Sequence, residues 1–232
     1  NIQTAIDVSH VEGSHIYIHA GTYQENLVVV GKEFNLNGPH PDEEPAIVDG
    51  QELGTVLIME NTGAGQANGL TLINGRAPSS TYGGGLRLVN SSGTFHDLII
   101  KDNHDYLHDE FGKAGGVLIA GGSPIFVAGR IENNHGGGVR VSGAGSTPRF
   151  EQGTVFRGNL NGRALEVYDT GIEMSNCRVE NNPEGGLWYE GVGYAPSVIT
   201  ETVFANNGDS LSNNGALHFE IRGGNLSLSN CV

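Results

Sequence analysis

The chain predicts an all-β coil, a solenoid of short strands with a short helix at its N-terminal end. Three observations carry that class: a glycine-led apolar strand that recurs six times, an asparagine-ended segment in phase with it, and a glycine-rich, charge-poor composition. The strand copies read GGLRLV, GGVLIA, GGVRVS, GRALEV, GGLWYE and GALHFE, with first core residues Leu86, Val117, Val139, Leu165, Leu187 and Leu217 at separations of 31, 22, 26, 22 and 30. A repeat this short leaves no room for two helices and carries turn residues throughout, so each unit is read as one turn of a coil.

Within each copy the apolar residues fall two apart, as in Leu86/Leu88, Val139/Val141 and Leu187/Tyr189. Side chains two apart on a strand share a face, which makes these positions the core. The second marker, LIIKDN, RIENN, VFRGN, RVENN and VFANN, ends at Asn103, Asn134, Asn159, Asn182 and Asn207. A column of amides at a turn can bond to itself and to turn backbone, and asparagine tolerates left-handed conformations, so this column is assigned to structure. Glycine supplies 37 of 232 residues, too many for helices, while the apolar periodicity excludes disorder.

The two ends differ. In IQTAIDVSH, residues 2 to 10, Ile2 and Ile6 lie four apart on one helical face, and the segment is read as a helix covering the open end of the coil. The final SNCV repeats the SNCR that begins at Ser175, so residues 1–232 are expected to form one domain that is cut inside a coil. Cys177 and Cys231 share a repeat position two coils apart. At about 4.8 Å per coil their backbones lie ~9–10 Å from one another, beyond the roughly 7 Å reach of a disulfide, which predicts two free, buried thiols.

The formal charge is −14, from 26 acidic and 12 basic residues. Such a surface repels phosphate backbones and anionic membranes, so nucleic acid is excluded as a partner and no membrane insertion is expected. An acidic, lysine-poor surface suits an extracellular or cell-surface protein. The acidic PDEEP at 41–45 is read as a solvated loop.

The segments NIQTAIDVSH, IYIHAGTYQENLVVVGKEFNLNGP, AIVDGQ, GLTLINGR and GGGLRLVNSSGTFHDLIIKDN together resemble the opening of bacterial right-handed parallel β-helix proteins of the pectin-lyase-like superfamily. The likeness covers almost the whole chain and implies a single-stranded right-handed parallel β-helix capped by a short N-terminal helix. Members include polysaccharide lyases, hydrolases, epimerases, esterases and non-catalytic surface proteins. Gly21 to Asn26, GTYQEN, is similar to a pectin methylesterase element, but the QAVAL-type and DFIFG-type segments of those enzymes are missing. The NTD, DD and RxK patterns of polygalacturonases and the DPHE-like motif of alginate epimerases are also missing. Phe156–Asn159, Phe204–Asn207 and Gly215-Ala-Leu resemble the repeats of bacterial polymorphic outer-membrane adhesins. The resemblance therefore implies a polysaccharide or cell-surface glycan as partner, and either a glycan-cleaving enzyme or a non-catalytic adhesin or spacer.

Stacking the copies in register places two ladders on the outer face of the glycine-led strand. One reads Arg87, Leu118, Arg140, Glu166, Trp188, His218 and the other Val89, Ala120, Ser142, Tyr168, Glu190, Glu220, with Arg222 beyond. Glu190 and Glu220 stack at about 4.8 Å of backbone spacing, and Glu166 lies diagonally near 8 Å from Glu190. Stacked carboxylates are expected to raise one pKa and so to provide an acid and a base, with His218 assisting proton transfer; these three are the catalytic candidates. Trp188 and Tyr168 are candidates to stack on sugar rings, and Arg140, Arg222 and Glu166 to hold substrate. The alternative for Arg140 and Glu166 is a surface ion pair.

A second cluster lies in the insertion HDYLHDEFGK, residues 104–113, which with RAPSSTY at 76–82 lengthens one corner of adjacent coils. Asp105, Asp109 and Glu110 are oxygen donors suited to Ca²⁺, and His104 and His108, four apart, suit Zn²⁺ on a helix. No cofactor is otherwise required, and a monomer is expected. His10, His15, His19, His40, His96 and His135 share no repeat position by this reading and receive no role.

Overall fold

The computed structural model describes residues 1–79, 83–105, 114–191, 197–208, 215–221 and 225–232. The chain winds as a parallel β-helix, each coil crossing three faces in turn. The glycine-led face is an eight-stranded parallel sheet running from Leu27–Val30 through Leu57–Gly63 and Leu86–Ser91 to Leu217–Ile221. The asparagine-ended face is a second eight-stranded sheet, from Gly21–Gln24 to Val203–Ala205. The third face carries three strands and then six, from Ser14–Tyr17 to Leu226–Ser229.

The glycine-led sheet therefore begins two coils before the first copy of its motif. Leu27–Val30 and Leu57–Gly63 pair in register with each other and onward to Leu86, although neither follows a glycine pair. Apolar alternation suffices there: Leu27, Val29, Leu57 and Met59 point inward and are at most 1% exposed. Inward columns make up the core. Leu27, Leu57, Leu86, Val117, Val139, Leu165 and Leu187 stack in one, and Phe95, Phe126 and Phe150 in another, with ring centroids 5.1 and 5.3 Å apart. Burying each such side chain contributes about 1.5–3 kcal/mol.

The N-terminal end is closed as the sequence predicts. The helix spans Ile2–Val8 and buries Ile2 and Ile6 on the first coil. The Asn1 side chain accepts from the Thr4 amide at 2.9 Å, and the Glu25 carboxylate accepts from the Ile2 and Gln3 amides, both at 2.9 Å. Two otherwise orphaned helix donors thus end on a carboxylate. Asn26 donates to the Thr55 carbonyl at 3.1 Å. In this chain, then, the Glu-Asn of GTYQEN fastens the cap and the first corner.

The asparagine column is a continuous amide ladder. Asn103, Asn134, Asn159 and Asn182 are fully buried, and each donates its backbone N–H and its Nδ2 to the Oδ1 of the next asparagine. Each Nδ2 also donates to a carbonyl of the preceding coil, as Asn159 does to Ile131 at 3.0 Å. The left-handed conformation falls one residue earlier than the ladder, on Asp102, Asn133, Asn181 and Asn206, with φ of 55°, 55°, 57° and 53°. The first residue of each Asn-Asn pair turns the chain, and the second ties the coils.

Cys177 and Cys231 are both free, but only Cys177 is buried. Cys231 is half-buried, where two buried thiols were expected. Burial pushes the Cys177 thiol up to about 12, so it stays protonated and shielded. Native protein treated with iodoacetamide at pH 8 is expected to carry the label on Cys231 and not on Cys177, read by peptide mass spectrometry. Equal labelling would contradict this placement. Among the described residues no helix is long and apolar enough to cross a membrane.

Candidate functional site

The outer ladders form as the repeat alignment predicts. Arg87, Leu118, Arg140, Glu166, Trp188 and His218 are successive register partners, and so are Val89, Ala120, Ser142, Tyr168, Glu190 and Glu220. Strand alternation explains this: with Leu165, Val167, Leu187 and Tyr189 inside, the residues between them face outward.

Glu166 is only 3% exposed, although it lies on the outer face. Arg163, from the corner just before the strand, donates through Nη1 to Glu166 Oε1 at 3.2 Å, and the Tyr168 hydroxyl donates to Oε2 at 3.2 Å. The alternative reading, an Arg140–Glu166 surface ion pair, gives way to this arrangement. Arg140 instead lies over the Tyr168 ring, 4.7 Å from its centroid. Burial pushes the Tyr168 phenol up to about 12, helped by the Glu166 charge and hydrogen bond and opposed by Arg140 and Arg163. At neutral pH it is therefore a hydrogen-bond donor.

Trp188 is sandwiched. His218 stacks on it with centroids 3.6 Å apart and planes within 3°, and the Arg163 guanidinium carbon lies 4.1 Å from the same centroid. An imidazole that close and that parallel covers one face, so the guanidinium must occupy the other. The indole faces expected to stack on a sugar are thus filled by protein, because His218 arrives in register from the next coil and Arg163 reaches over from the corner of the preceding one. Its edge remains, and among the described residues Nε1 is a buried donor with no acceptor.

Arg163 carries the stack, and the repeat pattern alone does not single it out. Its signal is in the sequence: at the position where neighbouring copies place Gly137 and Gly185, this copy places Arg163, so a long side chain emerges where others have none. Glu190 and Glu220 are register partners on the same outer face, beside Tyr168 and His218. Arg222 lies outside the described residues.

The other candidate cluster follows the amide ladder. Asp105 is buried, while Asp109 and Glu110, with His108, lie outside the described residues. Among the described residues no group of three His, Cys, Asp or Glu is placed to hold a metal ion. His135, assigned no repeat position from the sequence, is in register with His104, and their rings stack at 4.8 Å. Each follows a ladder asparagine directly, Asn103-His104 and Asn134-His135, so the ladder that aligns the asparagines aligns the imidazoles as well.

Fold and ladders together define a parallel β-helix solenoid with a concentrated aromatic and ionisable strip on its later coils. Residues 47–207 match the family model described as "Right handed beta helix region", and the chain belongs to that family. No curated protein and no solved structure matches the chain.

Proposed function

We propose that this β-helix is a secreted or cell-surface protein of the pectin-lyase-like type that holds a polysaccharide on the outer face of its later coils. The observation that supports the reading is the rigid arrangement of Arg163, Trp188 and His218 beside Arg140, Tyr168 and Glu166. Both guanidiniums act on the Tyr168 phenol, and each lies against an aromatic ring. Groups held by their neighbours lose little conformational entropy when a ligand arrives, which favours recognition of a polymer by many weak contacts. The guanidiniums donate to sugar oxygens, and Glu190 and Glu220 accept from hydroxyls. The register pairing of Glu190 with Glu220 supports a second reading, glycan cleavage by this pair with His218 assisting.

Affinity electrophoresis through gels containing pectin, polygalacturonate, alginate, xylan or β-glucan tests the binding. The protein is expected to be retarded by at least one polymer, and Arg163→Ala and Trp188→Ala to weaken that binding about tenfold or more while keeping the native circular dichroism. No retardation in any gel, or unchanged retardation of both variants, would remove the proposal. Turnover that disappears in Glu190→Gln or Glu220→Gln with binding retained supports the catalytic reading.

A further inference from the structure

Away from the glycine-led face, three adjoining depressions lie in line along the corner where the third face turns into the asparagine-ended sheet. The first, of about 180 Å³, is bounded by Tyr17, His19 and Tyr23. The next, of about 400 Å³, shares Tyr17 and His19 with it and adds Asn37, Pro39 and Glu43. The last, of about 250 Å³, shares Pro39 and Glu43 and has Thr71, Asp97 and Arg130 on its floor. Tyr17 belongs to the first coil and Arg130 to the fifth, so the line is ~19 Å long at the coil spacing.

The chemistry of this corner is amphipathic in one particular way. Tyr17 is 72% exposed, and its ring runs nearly parallel to His15, with 6.1 Å between centroids and 17° between planes, which widens a flat aromatic surface. Pro39, Pro41 and Pro45 stiffen the loop that walls the last depression, so the wall is preformed. Between these flat surfaces stand the Thr71 hydroxyl and the Asn37 side-chain oxygen, whose amide nitrogen is held by His15 Nδ1 at 3.3 Å and the Asn35 carbonyl at 2.9 Å, and at the far end Arg130. The Arg130 guanidinium makes no ion pair among the described residues. Glu43 and Asp97 line the same depression, and Asp42 and Glu44 lie on its loop.

Flat apolar surfaces alternating with donors and acceptors match the two sides of a pyranose, its C–H face and its hydroxyl edge. The four carboxylates accept from hydroxyls and repel an anionic polymer. We propose that this corner is a second carbohydrate site, selective for a neutral oligosaccharide and independent of the later coils. The PDEEP segment, expected from sequence to be only a solvated loop, then serves as part of its wall.

Titration of ¹⁵N-labelled protein with cellopentaose, xylopentaose, mannopentaose or chitopentaose, with trigalacturonate and a lysine-rich peptide for comparison, tests this. A neutral oligosaccharide is expected to shift the amides of Asn37, Thr71 and Arg130. Tyr17→Ala and Arg130→Ala are each expected to weaken that binding about tenfold. Both side chains are exposed, so the variants should keep the wild-type spectrum elsewhere. Movement or stillness of the Trp188 indole N–H reports separately on the later coils. The inference fails if no neutral oligosaccharide moves these amides, if both variants bind as tightly as wild type, or if only trigalacturonate or the peptide binds.

Discussion

Asn159→Ala is expected to lower the free energy of unfolding by about 3–5 kcal/mol, the sum of two or three buried polar groups left without partners. Asn159 is fully buried. Its Oδ1 accepts from the backbone N–H and the Nδ2 of Asn134 at 3.2 and 3.1 Å, and its Nδ2 donates to Ile131 O at 3.0 Å and Asn182 Oδ1 at 3.1 Å. Truncation orphans the Asn134 backbone N–H, leaves the Asn134 Nδ2 with the Ile100 carbonyl alone, and strips one bond from each acceptor. The loss also falls between coils, where a solenoid keeps its nearest-neighbour coupling, so the unfolding transition should broaden as well as shift. Urea unfolding followed by circular dichroism measures it. A change below about 1 kcal/mol would mean that the ladder is an ornament of the turn rather than a tie between coils.

Gly115→Ala is expected to cost more than about 3 kcal/mol, at the upper end of overpacking penalties, or to prevent folding. A Cβ on Gly115 would lie 1.9 Å from the His135 carbonyl oxygen and 2.7 Å from its carbon. Both atoms belong to the backbone of the next coil, which cannot rotate aside as a side chain would. Relief requires the coils to part, and with them the bonds from Gly116 N to Gly137 O at 3.1 Å and from Val117 N to Gly138 O at 2.8 Å. Gly153→Ala is the informative control. That glycine has open space around it but φ of +89°, so only the left-handed penalty of about 1–2 kcal/mol applies. Thermal unfolding of both variants separates the two roles, and equal effects would overturn the close-approach argument.

Much of the fold was legible because the features that make a solenoid are local and repeated. Leu86, Val117, Val139 and their successors carry the alternation that faces them inward, and the asparagines recur at the corner that needs an amide. The pairing partners of the outer ladders followed by alignment alone. Repeat matching failed where a copy lacks its marker: Leu27–Val30 and Leu57–Gly63 belong to the glycine-led sheet without a glycine pair, and Arg163 was passed over because it replaces one. His135 escaped for a different reason, since its partner was assigned to an insertion instead of to the ladder corner that precedes it.

By itself the sequence determined the coil, its capped N-terminal end, the amide ladder and which residues share each outward column, because strand alternation and a fixed coil spacing leave one arrangement for a periodic pattern. Only the tertiary structure decided what those columns do with one another. Whether Arg163 reaches Glu166, whether Trp188 offers a face or an edge, and whether the proline loop walls a depression depend on long side chains and irregular corners. Their directions are set by packing between coils, which the period of the repeat does not encode.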